Sequence, residues 1–325
     1  MTDNLTINDT TTDSKTLQDL RQRFFIKDSP VRGDVVRLAK SYATVIAQKD
    51  YPEAIEKLLG EMLTAASLLI GTLKIKGTLS IQLQSNDTDS LLKWAMAECD
   101  HNGIIRALAD WQQDGDANAK AWAEKTTANQ AFAELGEVGK GVLFINIRPE
   151  GGEAYQGIVE RSHDNLADCL AHYQHQSAQI PTLISLACDG LQAGGVLVQQ
   201  LPQTEAEKLR SENAQNAGEI EGDLDDLWER MTLLTRTIKP EELTTLPASE
   251  IIFRLYHEEQ VIAPEPTALN FGCTCSRDKC ASAILQIGED EATSIVEEQG
   301  QIEMDCGFCG AVYRFDADEV EAIFV

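Results

Sequence analysis

The chain has 325 residues, 43% of them apolar and 25% charged, and a formal net charge of -26. This length and composition predict a soluble globular protein of about two domains with a sizeable core. The acidic balance weighs against nucleic-acid binding, whose non-specific affinity comes almost wholly from attraction to phosphate, and no apolar run approaches the roughly 18 residues of a membrane span.

The opening MTDNLTINDTTTDSKT lacks the basic start and apolar middle of a secretory signal. Residues 1–16 therefore read as a disordered tail, and the compartment as the cytoplasm. From Pro52 to Leu73, apolar residues Ile55, Leu58, Leu59, Met62, Ala66 and Leu69 recur at helical spacing behind a proline suited to a first turn, which predicts an amphipathic helix. GTLSIQLQSND alternates Leu79, Ile81 and Leu83 with polar neighbours, as a half-buried strand does. Asn102-Gly103 reads as a hairpin turn with positive backbone angles. GVLFINIRPEGGEAYQGIVE reads as two strands around a Pro-Gly turn, SHDNLADCLAHYQ as a helix begun by Ser162, and PTLISLAC and GGVLVQQLP as closing strands. Hairpins mixed with helices over 17–203 predict an α+β domain with antiparallel sheets, not a doubly wound parallel one.

Beyond Pro202 the composition shifts: Glu205 to Arg230 holds nine acidic and three basic residues. Leu224, Leu227, Trp228, Met231 and Leu234 then form an apolar stripe that must lie on something. A second amphipathic pattern follows in SEIIFRLYHEE, and the span 204–270 reads as a helical connector.

Of eight cysteines, Cys99, Cys169 and Cys188 stand alone and read as small buried hydrophobes. The others cluster in FGCTCSRDKC and DCGFCGAVYRF. Cys273 and Cys275 form C-x-C, and Cys306 and Cys309 form C-x-x-C after thirty intervening residues. Two close thiolate pairs from separated points suit tetrahedral zinc, each pair supplying one edge. A disulfide or independent buried thiols are the other readings of that spacing. Gly310 can take a positive angle beside the second pair. Arg277, Lys279 and Arg314 stand close to a centre carrying two negative charges, or are ordinary surface charge; Cys280 is left over as a nonligating thiol or an alternative ligand. The 55 residues from Phe271 to Val325 are too few to be safely stable without a staple. Because thiolates are the oxidisable form of cysteine, such a site is also a latent redox switch whose output is loss of structure.

Those two cysteine segments, with RLYHEE, AGGVLVQQLP, AYQGIVE and VRGDVVRL, resemble the heat-shock protein 33 family (33 kDa chaperonin) over nearly the whole chain from about Gln18. The resemblance implies a redox-regulated, ATP-independent holdase. It would be inactive when Cys273, Cys275, Cys306 and Cys309 hold Zn2+. Oxidation would join Cys273 with Cys275 and Cys306 with Cys309, zinc would leave, the small C-terminal domain (271–325) and then the connector would lose structure, and the protein would dimerise. Unfolded or misfolded client proteins are the implied partners. The stripe Leu224, Leu227, Trp228, Met231 and Leu234 is the candidate client surface, its bland reading being plain core packing.

The rival is a zinc-ribbon protein whose zinc is purely structural, with a nucleic-acid or protein-binding role; a nucleic-acid binder would require a basic face. Thiol-disulfide catalysis through Cys306 and Cys309 would need the pair to open a helix after a strand, whereas DCGFCGAVYRF reads as a turn leading into a strand. His172 and His175, three apart on the predicted helix, read as a solvated face, and GLQAGG lacks the lysine and hydroxyl of a phosphate loop. No acid-base pair or nucleophile elbow stands out, so the expectation is a binding protein with a switch and no enzymatic activity.

Overall fold

The computed structural model describes residues 18–136, 141–202 and 224–324. The expected tail over 1–16 and the acidic stretch before Leu224 lie outside them. Two compact units form, Met1–Phe271 and Gly272–Val325.

In the first unit, β1 (Leu20–Ile26) and β2 (Val31–Leu38) pair as a hairpin and lead into α1 (Lys40–Ile46) and α2 (Glu53–Thr72). Three antiparallel strands follow, β3 (Gly77–Gln84), β4 (Leu92–Asp100) and β5 (Ile104–Trp111), then α3 (Asp116–Ala123) and α4 (Ala128–Ala133). β6 (Val142–Pro149) and β7 (Tyr155–Glu160) form a second hairpin, and α5 (Leu166–Ala178) precedes β8 (Thr182–Cys188) and β9 (Ala193–Gln200). Next come α6 (Leu224–Thr235), α7 (Pro240–Thr245) and α8 (Ala248–Tyr256), with three two-residue strands, β10 (Val261–Ile262), β11 (Thr267–Ala268) and β12 (Asn270–Phe271). One sheet runs β10-β1-β2-β9-β8 with β11 also on β1, and the other runs β12-β5-β4-β3-β6-β7. Among the described residues of this unit all pairings are antiparallel except β12 with β5. The fold is α+β, as expected.

Helix α2 departs from the simple amphipathic expectation. Fifteen of its twenty residues are buried, because strands of both sheets pack on it, and a helix covered all round is a core element. Its hydroxyls do not need water: Thr64 Oγ1 donates to the Gly60 carbonyl at 2.9 Å and Ser67 Oγ to the Leu63 carbonyl at 2.8 Å. At its C-terminal end Arg21 donates to the Ser67 carbonyl, Arg23 to Gly71 and Arg32 to Thr72. The fully buried Asp34 balances these cations, 3.0 Å from Arg23 and 3.7 Å from Arg21. The β1–β2 hairpin thus anchors the helix to the first sheet by charge-assisted bonds, VRGDVVRL supplying Arg32 and Asp34.

Mid-helix, Glu61 is half-buried, and burial alone pushes its carboxyl up to about 7. The unfolded chain ionises this group from about 4.3 upward while the folded chain keeps it protonated, so its contribution to stability is lost as pH rises between those values. Glu61→Gln should therefore raise the denaturation midpoint more at pH 8 than at pH 4, by an increment equivalent to about 1–3 kcal/mol. Urea titrations at the two pH values check this; equal gains at both would contradict it.

Two local expectations need correction. At the β4–β5 turn only Gly103 takes a positive φ (+84°), because three residues separate the strands, and a left-handed glycine closes such a loop. The cap of α5 is Asn165, not Ser162: its side chain accepts from the Asp168 N–H at 2.8 Å, leaving Ser162 in the preceding loop.

The connector's apolar stripe lies on the outer face of the first sheet. Met231 is fully buried, and Leu227, Trp228 and Leu234 pack partly buried against Phe24, Val35, Val196 and Val198, alongside Leu243, Ile251 and Tyr256. Leu224 belongs to the same helix. Tyr256 stacks on Phe24 with centroids 5.1 Å apart, and its hydroxyl meets Thr235 at 2.7 Å. Arg37 of β2 donates to the Leu246 carbonyl and to Gln192. The connector is not helical throughout. Past Tyr256 it is extended, since β10, β11 and β12 find open edges on β1 and β5. Leu233 and Phe253 remain about half exposed on these helices, at 59% and 48%.

The second unit holds α9 (Arg277–Ile287), α10 (Glu289–Gln299), the hairpin β13 (Ile302–Asp305) with β14 (Val312–Phe315), and α11 (Ala317–Phe324). Its core has five buried members, Ile284, Ala292, Ile302, Phe315 and Val320.

Candidate metal centre

Two loops deliver the clustered cysteines. Cys273 and Cys275 precede α9, whose entry is fixed by Ser276 accepting from the Lys279 N–H. Cys306 and Cys309 lie in the β13–β14 turn. There the Cys306 N–H donates to the Ala311 carbonyl at 2.8 Å, and the N–H groups of Cys309 and Gly310 both donate back to the Cys306 carbonyl. Gly310 takes φ +66°, the conformation that lets the chain double back beside the sulfurs.

The four sulfurs lie within 4.8 Å of one another. Between the pairs, Cys273 Sγ lies 3.5 Å from Cys306 Sγ and Cys275 Sγ lies 3.4 Å from Cys309 Sγ. These separations exceed a disulfide bond of about 2.05 Å, so none of the four is in a disulfide, and all four are half-buried. A tetrahedral metal with bonds of about 2.3 Å to sulfur needs sulfur-to-sulfur edges of about 3.8 Å. The cluster therefore fits a tetrathiolate ion with only small movement, and the four cysteines could hold a metal ion. Among the described residues no other group of histidine, cysteine and carboxylate side chains converges so closely.

Thiolates must form before a metal binds. For Cys273, burial raises the pKa, but hydrogen bonds from Cys275 and from the Cys306 and Cys309 thiols outweigh it and hold the group down at about 7. Burial pushes Cys309 up to about 12, and it pushes Cys306 up as well. Hydrogen bonding within the cluster thus favours a thiolate at Cys273.

The nearby cations are committed elsewhere. Arg277 pairs with Glu319 at 2.5 Å and lies over the Phe315 ring at 4.2 Å, Arg314 pairs with Glu303 at 2.7 Å, and Lys279 donates to the Thr274 carbonyl. They organise the unit around the sulfurs without pairing with them. Sequence reasoning missed Tyr313, whose hydroxyl reaches Cys275 Sγ at 3.2 Å; an isolated tyrosine in a strand pattern carries no signal of it.

Cys280 packs half-buried against the small core and is not one of the four converging thiols. Cys99 and Cys169 are fully buried, whereas Cys188 is half-buried at the edge of the main core. Burial pushes Cys99 and Cys188 up to about 12, which leaves both as unreactive thiols. His172 stacks on His163 with centroids 5.5 Å apart. GLQAGG makes the β8–β9 turn and enters β9, and DCGFCGAVYRF is a turn between strands. No described helix is long and apolar enough to cross a membrane.

A sequence model of the Hsp33 protein family matches residues 19–316. The 33 kDa chaperonin of Shewanella frigidimarina is 39% identical over 306 residues, which are 94% of this chain and 96% of that protein. The 33 kDa chaperonin of Pseudomonas aeruginosa strain LESB58 is 40% identical over 307 residues, 94% of each. Among solved structures, the 33 kDa chaperonin (heat shock protein 33 homolog) of Thermotoga maritima shares the fold with a TM-score of 0.73 at 20% identity, over 94% of this chain and 97% of that one.

Proposed function

The chain belongs to the Hsp33 family, and on that premise we propose that it is a redox-regulated, ATP-independent holdase chaperone of the cytoplasm. The observation that carries the reading is the convergence of four cysteine sulfurs from two separated pairs within 4.8 Å. Cys273, Cys275, Cys306 and Cys309 are the ligands and Zn2+ the ion. When bound, zinc supplies a rigid cross-link between the two loops and stabilises the thiolate forms. A chaperone needs a binding surface and no acid-base machinery, which suits a non-enzyme whose relatives are named chaperonins.

The switch follows from the thiols. Two thiolates lose two electrons to an oxidant such as a peroxide and form one sulfur-sulfur bond, and the peroxide takes two protons and leaves as water. Joining Cys273 with Cys275 and Cys306 with Cys309 in this way removes all four ligands. The second unit then depends on five buried apolar residues, too few for independent stability. In the oxidised state the connector loosens too, so that Leu224, Leu227, Trp228, Met231 and Leu234 become available to apolar segments of unfolded clients, and the oxidised protein dimerises. Leu233 and Phe253, already half exposed, extend that surface.

Metal and thiol counting on the reduced and the peroxide-treated protein tests the chemistry. We expect one zinc per reduced chain, and its loss together with four titratable thiols after oxidation. A reduced protein without zinc, or zinc kept after four thiols are lost, would overturn the ligand assignment.

A further inference from the structure

Tyr313 lies in β14 opposite Met304 of β13, in the hairpin whose turn carries Cys306 and Cys309. Its hydroxyl donates across to Cys275, a member of the other pair, at 3.2 Å. Tyr313 and Phe315 share one face of the strand; Phe315 is buried in the small core and the Tyr313 ring packs half-buried against the same core. Packing thus fixes the ring and aims the hydroxyl at the sulfur. Cys275 also lies 3.4 Å from Cys309, so this one hydroxyl joins the scaffold of the second pair to the sulfur of the first.

Resting on the reading of the four cysteines as a zinc centre, we propose that Tyr313 is a positioning residue that holds Cys275 in its ligating orientation and sets how readily the centre yields to chelators and oxidants. A hydrogen bond to a thiolate disperses its charge, and a thiolate with less charge is a weaker nucleophile toward peroxide. The same bond restrains the sulfur at its corner of the tetrahedron. Partners of metal ligands behave in this way, and their loss typically costs about 10–100-fold in metal affinity. Arg277, Lys279 and Arg314 cannot take over the role, since each is held by Glu319, Thr274 or Glu303.

The test compares the full-length reduced protein with Tyr313→Phe, which keeps the packed ring and removes only the hydroxyl. Zinc content is measured first: wild type without zinc refutes the metal-centre reading itself, and Tyr313 with it. Given zinc in both, three readouts follow: zinc affinity by chelator competition, the rate of zinc release under peroxide, and alkylation of each cysteine mapped by mass. We expect affinity to fall about tenfold or more and release to accelerate, with Cys275 gaining more reactivity than the other three. Unchanged affinity and release in a zinc-loaded variant overturn the proposal. So does a general loosening in which all four cysteines gain reactivity alike, because that is the mark of lost packing.

Discussion

Replacing Cys306 with serine should leave the second unit without a stable fold while the first unit stays intact. A serine hydroxyl does not ionise near neutral pH and ligates zinc poorly, so one corner of the tetrahedron is lost. Structural zinc contributes on the order of 10–16 kcal/mol of apparent binding energy, as much as the roughly 5–15 kcal/mol of a whole domain. The unit has five buried apolar residues to set against that loss. Limited proteolysis with zinc analysis checks it: cleavage within Gly272–Val325 and survival of the larger unit are expected. A variant with full zinc affinity and unchanged protease resistance would contradict the assignment.

The second large effect is expected at Gly194, in the first unit. A side-chain carbon there would lie 2.1 Å from the Leu243 carbonyl oxygen, which belongs to the backbone of α7. Backbone cannot swing aside as a flexible side chain does, so Gly194→Val must lift α7 off β9. Overpacking of this kind costs about 1–3 kcal/mol, enough to shift a docked-to-undocked ratio by roughly 5- to 160-fold. The Arg37 contact with Leu246 and the burial of Met231, Leu243 and Tyr256 should weaken together. The expected outcome is stronger binding of an apolar dye and suppression of client aggregation by the reduced, zinc-loaded variant. If the variant binds no more dye than wild type, the seat of the connector is not at Gly194. If it binds dye without holding clients, the connector's apolar face is not the client surface.

The cysteine centre was legible because its geometry is written into short spacings: C-x-C and C-x-x-C each bring two sulfurs to one edge whatever the rest of the unit does. Strand β3 was legible for a similar reason, since alternation over seven or eight residues survives in any sheet; β1 and β2 were not read as strands, and β2, buried along its whole length, has no solvent face to show in an alternating pattern. Helix α2 was readable as a helix but not as a core element. Thr64 and Ser67 look like solvent-facing positions in a periodic pattern, yet both bond to their own helix backbone and need no water. β10, β11 and β12 span two residues each, too short for any periodicity, and exist because β1 and β5 offer edges. The Tyr313 bond to Cys275 joins residues 38 apart, and no local pattern encodes such a meeting.

The central claim is that thiol oxidation turns on client holding. Its most direct test is light scattering from a chemically unfolded client diluted into this protein, either reduced and zinc-loaded or treated with peroxide, with released zinc read in the same samples. The account predicts suppressed aggregation in the oxidised, zinc-free sample alone. Aggregation that proceeds equally in both samples, despite full zinc release, would make the cysteines a structural staple only.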